Sequence, residues 1–428
     1  MTIVQSFTRE LAPLVTAEKA LAATAVPRTP VGIEATNAAD VQAAVRMARE
    51  LDVPLAVHAT GHGSFVAPQG GFQLETAGLG GVTIDPTRQV ARVGAGARWG
   101  EVLAAASPYG LAGLSGTSPA VGVTGYTLGG GLSWLSRKYG FAADNLLSAD
   151  VVTADGSLLT VDADQHADLF WALRGGGANF GVVTSLTFRL FPVANVYAGT
   201  AYFPFSRAAD LLVKFRTWAE TREPDELTTS IVLIRSAAHS PVSGPVVAVR
   251  GMYVGTPEEG RRALAPLWKV AGEPLADTWR SMPYAESGTI GGIAPRRFET
   301  FRSLSGPVIE TALSLVSDPE VDELEVRHWG GAMRRSVGRG PVGHRNVPFS
   351  IAINGTPSAS DGLAQYATGG AFLNFLKDPS RTASAYTTAN WRRLRELKRT
   401  YDPTNLFGLT HNIRPGSDTV ARDGYPLQ

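Results

Sequence analysis

Residues 115–140 read SGTSPAVGVTGYTLGGGLSWLSRKYG, with glycine at positions 116, 122, 125, 129, 130, 131 and 140. Glycine at this density makes a chain costly to order, so it marks backbone that must approach something closely or take a positive φ. Two readings are open. Successive backbone N–H groups can form an anion-binding concavity suited to a pyrophosphate, or the segment is a set of β-turns and close strand crossings. Upstream, Val57–Ser64 (VHATGHGS) places two of the seven histidines four residues apart among small residues. Between the two lies Val93–Gly100, VGAGARWG, which follows a strand and opens a helix. Its spacing is GxGxxxG, and no acidic residue stands on a second strand roughly 20 positions on. A tight strand-to-helix turn is the better reading than a nicotinamide site.

The chain has 428 residues, 44% of them hydrophobic, enough for one large or two intermediate domains. Lys and Arg number 39 against 38 Asp and Glu, a net charge of +1, which predicts no strong attraction to nucleic acid or anionic membrane. Cysteine is absent, which rules out disulfides, thiolate metal sites, a cysteine nucleophile and a cysteinyl cofactor bond. The first 20 residues are mixed polar and acidic, unlike a secretory signal. No apolar stretch is long enough to span a bilayer, so the expectation is a soluble, cytoplasmic protein. Nothing in the sequence specifies an oligomer.

Apolar residues at helical spacing predict a helix over 39–51, and Val53–Val57 follows as a short buried strand that ends at the histidine loop. Short strands are expected at Val82–Ile84 and Val90–Val93, a helix over 100–107, and a hairpin over 149–161 turning at Asp155-Gly156. A helix over 164–174, a long strand over 181–190 and a last helix over 389–399 complete the pattern. The texture changes after Phe191-Pro192. Residues 1–193 are read as a glycine-rich domain and 194–380 as a second α+β domain. Residues 381–428 are a return to the first domain, since so short a piece cannot build its own core.

Gly61-His62-Gly63-Ser64, VGAGARWGEV, VGVTGYTLGGG, RKYGFAADN, VVTADG, LFWALRGGGANFGVVT, and at the far end YDPTNLF and His411-Asn412-Ile413 occur in one order. Together they resemble the FAD-linked oxidoreductases of the berberine-bridge-enzyme-like group, in the vanillyl-alcohol-oxidase superfamily. The resemblance implies an α+β fold: a PCMH-type FAD-binding domain built from both chain ends, and a substrate domain with an antiparallel sheet backed by helices. It implies FAD as cofactor, a small-molecule substrate at the domain interface, and O2 as oxidant. His62 matches the histidine that bonds the flavin 8α-methyl carbon in many members. Ser118 stands where doubly linked relatives carry a second, cysteinyl link, so His62 is the single covalent link expected. Gly61, Gly63 and Ser64, with Gly122, Val123 and Gly125, match residues along the pyrophosphate and ribityl chain. Gly181 and Val183 match the adenine side, Asn412 a polar residue near the isoalloxazine, and Tyr126 a histidine beside it. Val121 matches a position that leaves oxygen access open. His58 stands where many relatives have arginine, and is read as a loop or pyrophosphate-side residue. A metal held by His58 and His62 is not expected, because Gly61 and Gly63 disfavour the helix that would align them.

One motif departs from the family pattern. Where members carry Tyr-x-Asn-Tyr, this chain has Phe372-Leu373-Asn374-Phe375, so both tyrosine hydroxyls that assist substrate deprotonation are gone. Hydride removal from a hydroxylated carbon needs a proton acceptor in step with it. The candidates are Tyr126, His328, His344 and Tyr386. The expected activity is oxidase or dehydrogenase chemistry at a C–H next to O or N of a sugar, alcohol or specialised metabolite. Two alternatives follow from the lost tyrosines: oxidative cyclisation or rearrangement in natural-product biosynthesis, and flavin binding without turnover.

Overall fold

A computed structural model describes residues 30–416, apart from 64–65, 67–69, 223, 236–239, 294, 336–337 and 356–360. Three sheets organise the chain. The first is parallel: β1 (Val31–Glu34), β2 (Leu55–His58) and β3 (Phe72–Glu75) run in the order β1-β3-β2. Between β1 and β2 runs the helix Ala38–Glu50, whose Val41, Ala44, Val45 and Ala48 are buried. Asn37 caps it by accepting from Asp40 N at 3.0 Å.

The second sheet is antiparallel. It holds β4 (Val82–Asp85), β5 (Val90–Gly94), β6 (Leu146–Val152), β7 (Leu158–Asp162) and β8 (Val182–Arg189) in the order β4-β5-β8-β6-β7. The hairpin at Asp155-Gly156 joins β6 to β7, as its turn residues predict. The expected helix over 164–174 is shorter, Ala167–Leu173, because Asp162 Oδ1 accepts from the N–H groups of Asp164 and Gln165 and turns the chain first. The GxGxxxG segment is the strand-to-helix turn expected of it, from β5 into the helix Trp99–Ala106.

The third sheet has eight strands: β9 (Asn195–Pro204), β10 (Leu227–Ile234), β11 (Val246–Tyr253), β12 (Ala276–Asp277), β13 (Arg280–Pro283), β14 (Arg297–Phe301), β15 (Val321–His328) and β16 (Phe349–Gly355). All its pairs are antiparallel. Alternate side chains of the long strands, such as Ile231, Leu233, Val247, Val249, Leu324 and Val326, form one core with the helices Ala208–Arg222, Pro257–Ala271 and Gly306–Leu315. An antiparallel sheet backed by helices is therefore present. The other face of this sheet turns toward the glycine-rich segment.

The chain rejoins its first part from about Ala371. Ala371, Leu373, Leu394, Leu397 and Ile413 share a core with Phe170, Trp171, Phe180 and Leu186. Leu406 and Phe407 pack with the parallel sheet, and Leu55 N donates to Leu406 O at 3.1 Å. The helix Thr388–Tyr401 carries a fully buried ion pair, Lys398 Nζ to Asp402 Oδ2 at 2.6 Å. Among the described residues, no helix is long and apolar enough to cross a membrane.

Candidate active site

Between the glycine-rich segment and the third sheet lies a cavity of about 760 Å³. Its first wall is made of His58, Gly61, His62, Gly63, Ser118, Val121, Gly122, Gly125 and Tyr126, with Gly181, Val183 and His411 also on the surface. The histidine loop follows directly from the end of β2. His62 is exposed there. His58 is half-buried, its Nδ1 2.7 Å from Glu75 Oε2 on the neighbouring strand, and Glu75 Oε1 also accepts from Gln73 Nε2 at 2.6 Å. A Cβ on Gly61, which has φ +74°, would stand 3.2 Å from His58 Nε2.

The glycine triplet serves close packing. A Cβ on Gly129 would stand 2.4 Å from Asn374 Nδ2, one on Gly130 2.9 Å from the Phe372 ring, and one on Gly131 2.6 Å from Tyr126 and Ala142. Gly131 N donates to Asn374 Oδ1 at 2.8 Å, and Asn374 Nδ2 to Tyr126 O at 3.1 Å. The triplet thus lets the C-terminal segment dock against the wall. Gly125, by contrast, faces open cavity: a Cβ there would meet nothing within 4 Å.

Not all the residues expected at the cofactor stand on this wall. Val123 is fully buried in the core, and its N–H donates to Ala97 O at 2.9 Å, so neither its side chain nor its amide faces the cavity. Asn412 is not part of the wall; its neighbour His411 is. Ser64 lies outside the described residues.

Three of the four candidate bases are also placed elsewhere. His328 Nδ1 accepts from the buried Arg137 Nη1 at 2.8 Å, on the face of β15 away from the cavity. His344 Nε2 donates to Ser384 O at 2.7 Å, and Tyr386 Oη to Gly175 O at 3.2 Å. None of the three lines the cavity. His344 and Tyr386 follow backbone carbonyls and His328 a buried guanidinium, and spacing along the chain carries no information about that. Tyr126 does line it. Its ring is half-buried, its hydroxyl is buried without a partner, and burial pushes the phenol well above its usual range, so it is a proton donor at neutral pH.

The opposite wall comes from the third sheet and the Phe375–Lys377 segment. It presents Phe298, Glu325, Arg327, Ser350, Ala352, Phe375 and Lys377. Glu325 is the one carboxylate on the wall among the described residues. Its Oε1 accepts from Arg327 Nε at 2.9 Å and from Nη2 at 2.8 Å. Its Oε2 has no hydrogen-bond partner and lies 3.5 Å from Arg250 Nη1. The sequence reading passed over this pair. The signal was the run Val321–His328, VDELEVRH, where charges alternate with apolar residues in a strand whose both faces are covered.

The wall suits a long polar ligand such as FAD. Thr124 Oγ1 and Tyr126 Oη are buried without protein partners beside it, and Gly125 leaves room for close approach. Residues 30–162 match the "FAD binding domain" family and residues 371–414 match "Berberine and berberine like". The chain is 29% identical to the FAD-linked oxidoreductase YgaK of Bacillus subtilis, over 89% of this chain and 90% of that one. It is 28% identical to xylooligosaccharide oxidase of Thermothelomyces thermophilus, over 91% and 88%. The structure of 6-hydroxy-D-nicotine oxidase from Arthrobacter nicotinovorans superposes with a TM-score of 0.79 at 25% identity, covering 94% of this chain and 96% of that one. The glycine wall, the matched segments at both chain ends and the shared fold make this chain an FAD-dependent member of the berberine-bridge-enzyme-like oxidoreductases.

Proposed function

We propose that the protein is a flavin-dependent oxidase that takes a hydride from a substrate C–H next to O or N, with Glu325 as proton acceptor and O2 as final oxidant. The carrying observation is Glu325, the one carboxylate on the cavity wall among the described residues, whose Oε2 accepts no hydrogen bond from the protein although Arg250 Nη1 lies 3.5 Å away. Arg327 fixes the other oxygen and so aims the free one. A substrate hydroxyl or amine N–H bonded to Oε2 loses its proton there as the hydride leaves. Tyr126 supplies a buried neutral donor on the facing wall. Bound FAD supplies the hydride acceptor.

In this reading His62 is the single covalent link, since Ser118 has no thiol to form a second. Gly61, Gly63, Gly122, Gly125, Gly181 and Val183 line the cofactor. Residues to 193 and the return from about Ala371, earlier than the 381 read from the sequence, form the cofactor-binding part, and the third sheet with its helices the substrate part. Glu325 supplies the acid–base group that Phe372 and Phe375 lack, which speaks for turnover over passive flavin binding.

The test has two steps. Acid precipitation of purified protein should leave the yellow colour in the pellet, with FAD mass on the His62 peptide and none after His62→Ala. FAD released to the supernatant from the wild type sinks the covalent link, and absence of any flavin sinks the reading. Glu325→Gln should keep FAD but slow anaerobic flavin reduction by about 10²–10⁴-fold; an unchanged rate removes Glu325 as the base.

A further inference from the structure

Arg327 holds Glu325 in an uncommon way. A guanidinium and a carboxylate pair best side by side, one N–H to each oxygen. Here Arg327 Nε and Nη2 both converge on Oε1, at 2.9 and 2.8 Å, and Oε2 accepts from neither. Arg250 lends charge to Oε2 from 3.5 Å without a hydrogen bond, and it stands behind the cavity surface rather than on it. The open oxygen therefore depends on how the Arg327 plane is turned. The neighbouring strands do not set that turn. Arg327 lies between Ser230 and Ser350 in register, but Ser230 Oγ has no hydrogen-bond partner and Ser350 Oγ accepts from Trp329 Nε1 at 2.9 Å.

What faces the guanidinium is an aromatic ring from the opposite wall's chain segment. Arg327 Cζ lies 4.2 Å from the centre of the Trp134 ring. Trp134 belongs to the glycine-rich segment, two residues after Leu132; Leu132 lines the cavity, and Trp134 is buried behind it. The ring is held in place. It shares a core with Leu103, Val196, Ala198, Met252 and Met282. The turn that carries it is fixed by Ser136 Oγ, which accepts from Ser133 N at 2.9 Å, and by Ser133 Oγ, which accepts from Leu135 N at 3.1 Å. Trp134 Nε1 is buried without a hydrogen-bond partner. A buried indole usually turns to satisfy that N–H. This one presents its face to Arg327 instead, and the attraction of a guanidinium for an aromatic face offsets the loss.

We propose that Trp134 is a positioning residue for Glu325: its ring face holds the Arg327 guanidinium at the angle that engages one carboxylate oxygen and leaves the other open to the substrate. Without the ring, Arg327 swings into the side-by-side pairing, and Oε2 is occupied by an N–H of the protein. Trp134 touches neither the cavity nor the reacting atoms and acts through Arg327. The segment that forms the glycine wall thus also orients the proton acceptor on the wall opposite. The proposal rests on the reading of Glu325 as that acceptor.

The experiment titrates the FAD-loaded protein at neutral pH with 2-naphthol and with 2-methoxynaphthalene, and reads the perturbation of the flavin absorbance band. No turnover is needed. The probes share a ring that fits the apolar lining of Ile293, Phe298 and Phe375, and only the naphthol has a proton to give Oε2. The wild type should bind the naphthol about tenfold more tightly than the ether, and Glu325→Gln should lose that preference. Trp134→Leu and Trp134→Met, each of which decides the point alone, should cut the preference about fivefold. Trp134→Phe keeps an aromatic face and should retain most of it. A merely structural role would weaken both probes alike and leave their ratio unchanged. An unchanged ratio in the non-aromatic variants, or an equal loss in Trp134→Phe, overturns this proposal and leaves the Glu325 reading standing. A wild type that binds neither probe, shows no preference, or keeps its preference in Glu325→Gln overturns the open oxygen, and both readings with it.

Discussion

Replacing Lys398 with methionine tests how the C-terminal return is held to the cofactor-binding part. Lys398 and Asp402 are both fully buried and 2.6 Å apart. Lys398 Nζ also donates to Asn179 O at 2.7 Å. Asp402 accepts from Leu406 N at 2.8 Å and Phe407 N at 3.0 Å, which turns the chain after the helix. Asn179 in turn donates to His411 O and accepts from Ile413 N. Removing the ammonium leaves a carboxylate buried with only two amide donors, and breaking such a pair costs about 3–5 kcal/mol. For a chain of this size that lowers the midpoint of thermal unfolding by roughly 3–6 °C. Asp402→Asn combined with Lys398→Met removes the stranded charge while keeping an acceptor for the two amides. The double variant should therefore recover about 1–3 kcal/mol relative to additivity. The assay is thermal unfolding of both single variants, the double variant and the wild type at saturating FAD, since bound cofactor shifts the midpoint by mass action. Because His411 lines the cavity, Lys398→Met should also release noncovalent FAD more readily when combined with His62→Ala. A Lys398→Met variant within about 1 kcal/mol of wild type, or strictly additive behaviour, would refute the reasoning.

Gly131→Ala should destabilise the protein by about 1–3 kcal/mol, because the residue has φ +75° and a Cβ there would press on Tyr126 and Ala142; an unchanged unfolding midpoint would mean that the wall yields at no cost. Arg345→Met should cost about 3–5 kcal/mol, since Arg345 makes buried bonds of 2.9 and 2.7 Å to both oxygens of Asp144, and urea unfolding measures the loss. Burial holds the imidazoles of His344 and His411 below their usual range. The unfolded chain therefore takes up more protons just below pH 6.5. Stability from these groups is present above that pH and falls as the pH drops from it through the folded-state values. The slope of stability against pH in that window should lessen in His411→Asn, and an unchanged slope would remove His411 from the account.

Local elements were legible where a short-range rule decides them. The helix Ala38–Glu50 followed from apolar spacing, and the hairpin β6–β7 from Asp155-Gly156. The parallel sheet was not legible, because β1 and β3 are four-residue strands paired through a crossover, and pairing partners leave no trace in either strand alone. Several residues that the resemblance implies at the cofactor, among them His62, Gly122, Gly125 and Gly181, line the first cavity wall, while Val123 and Asn412 do not. His328, His344 and Tyr386 misled because a titratable side chain shows its chemistry in the sequence but not its direction.

By itself the sequence carried the resemblance to the family, and with it FAD, in an ordered set of motifs at both chain ends, and it marked the glycine segment, because a backbone that must pass close to a ligand or a neighbouring segment requires glycine at particular positions. Tertiary structure alone decided the opposite wall. Glu325 and Arg327 look like any charged pair two residues apart in a strand. Only the alignment of β15 between β10 and β16, with Arg250 of β11 one strand further on, buries them together on the cavity side. There, loss of water turns ordinary surface chemistry into a free carboxylate oxygen held between guanidinium groups.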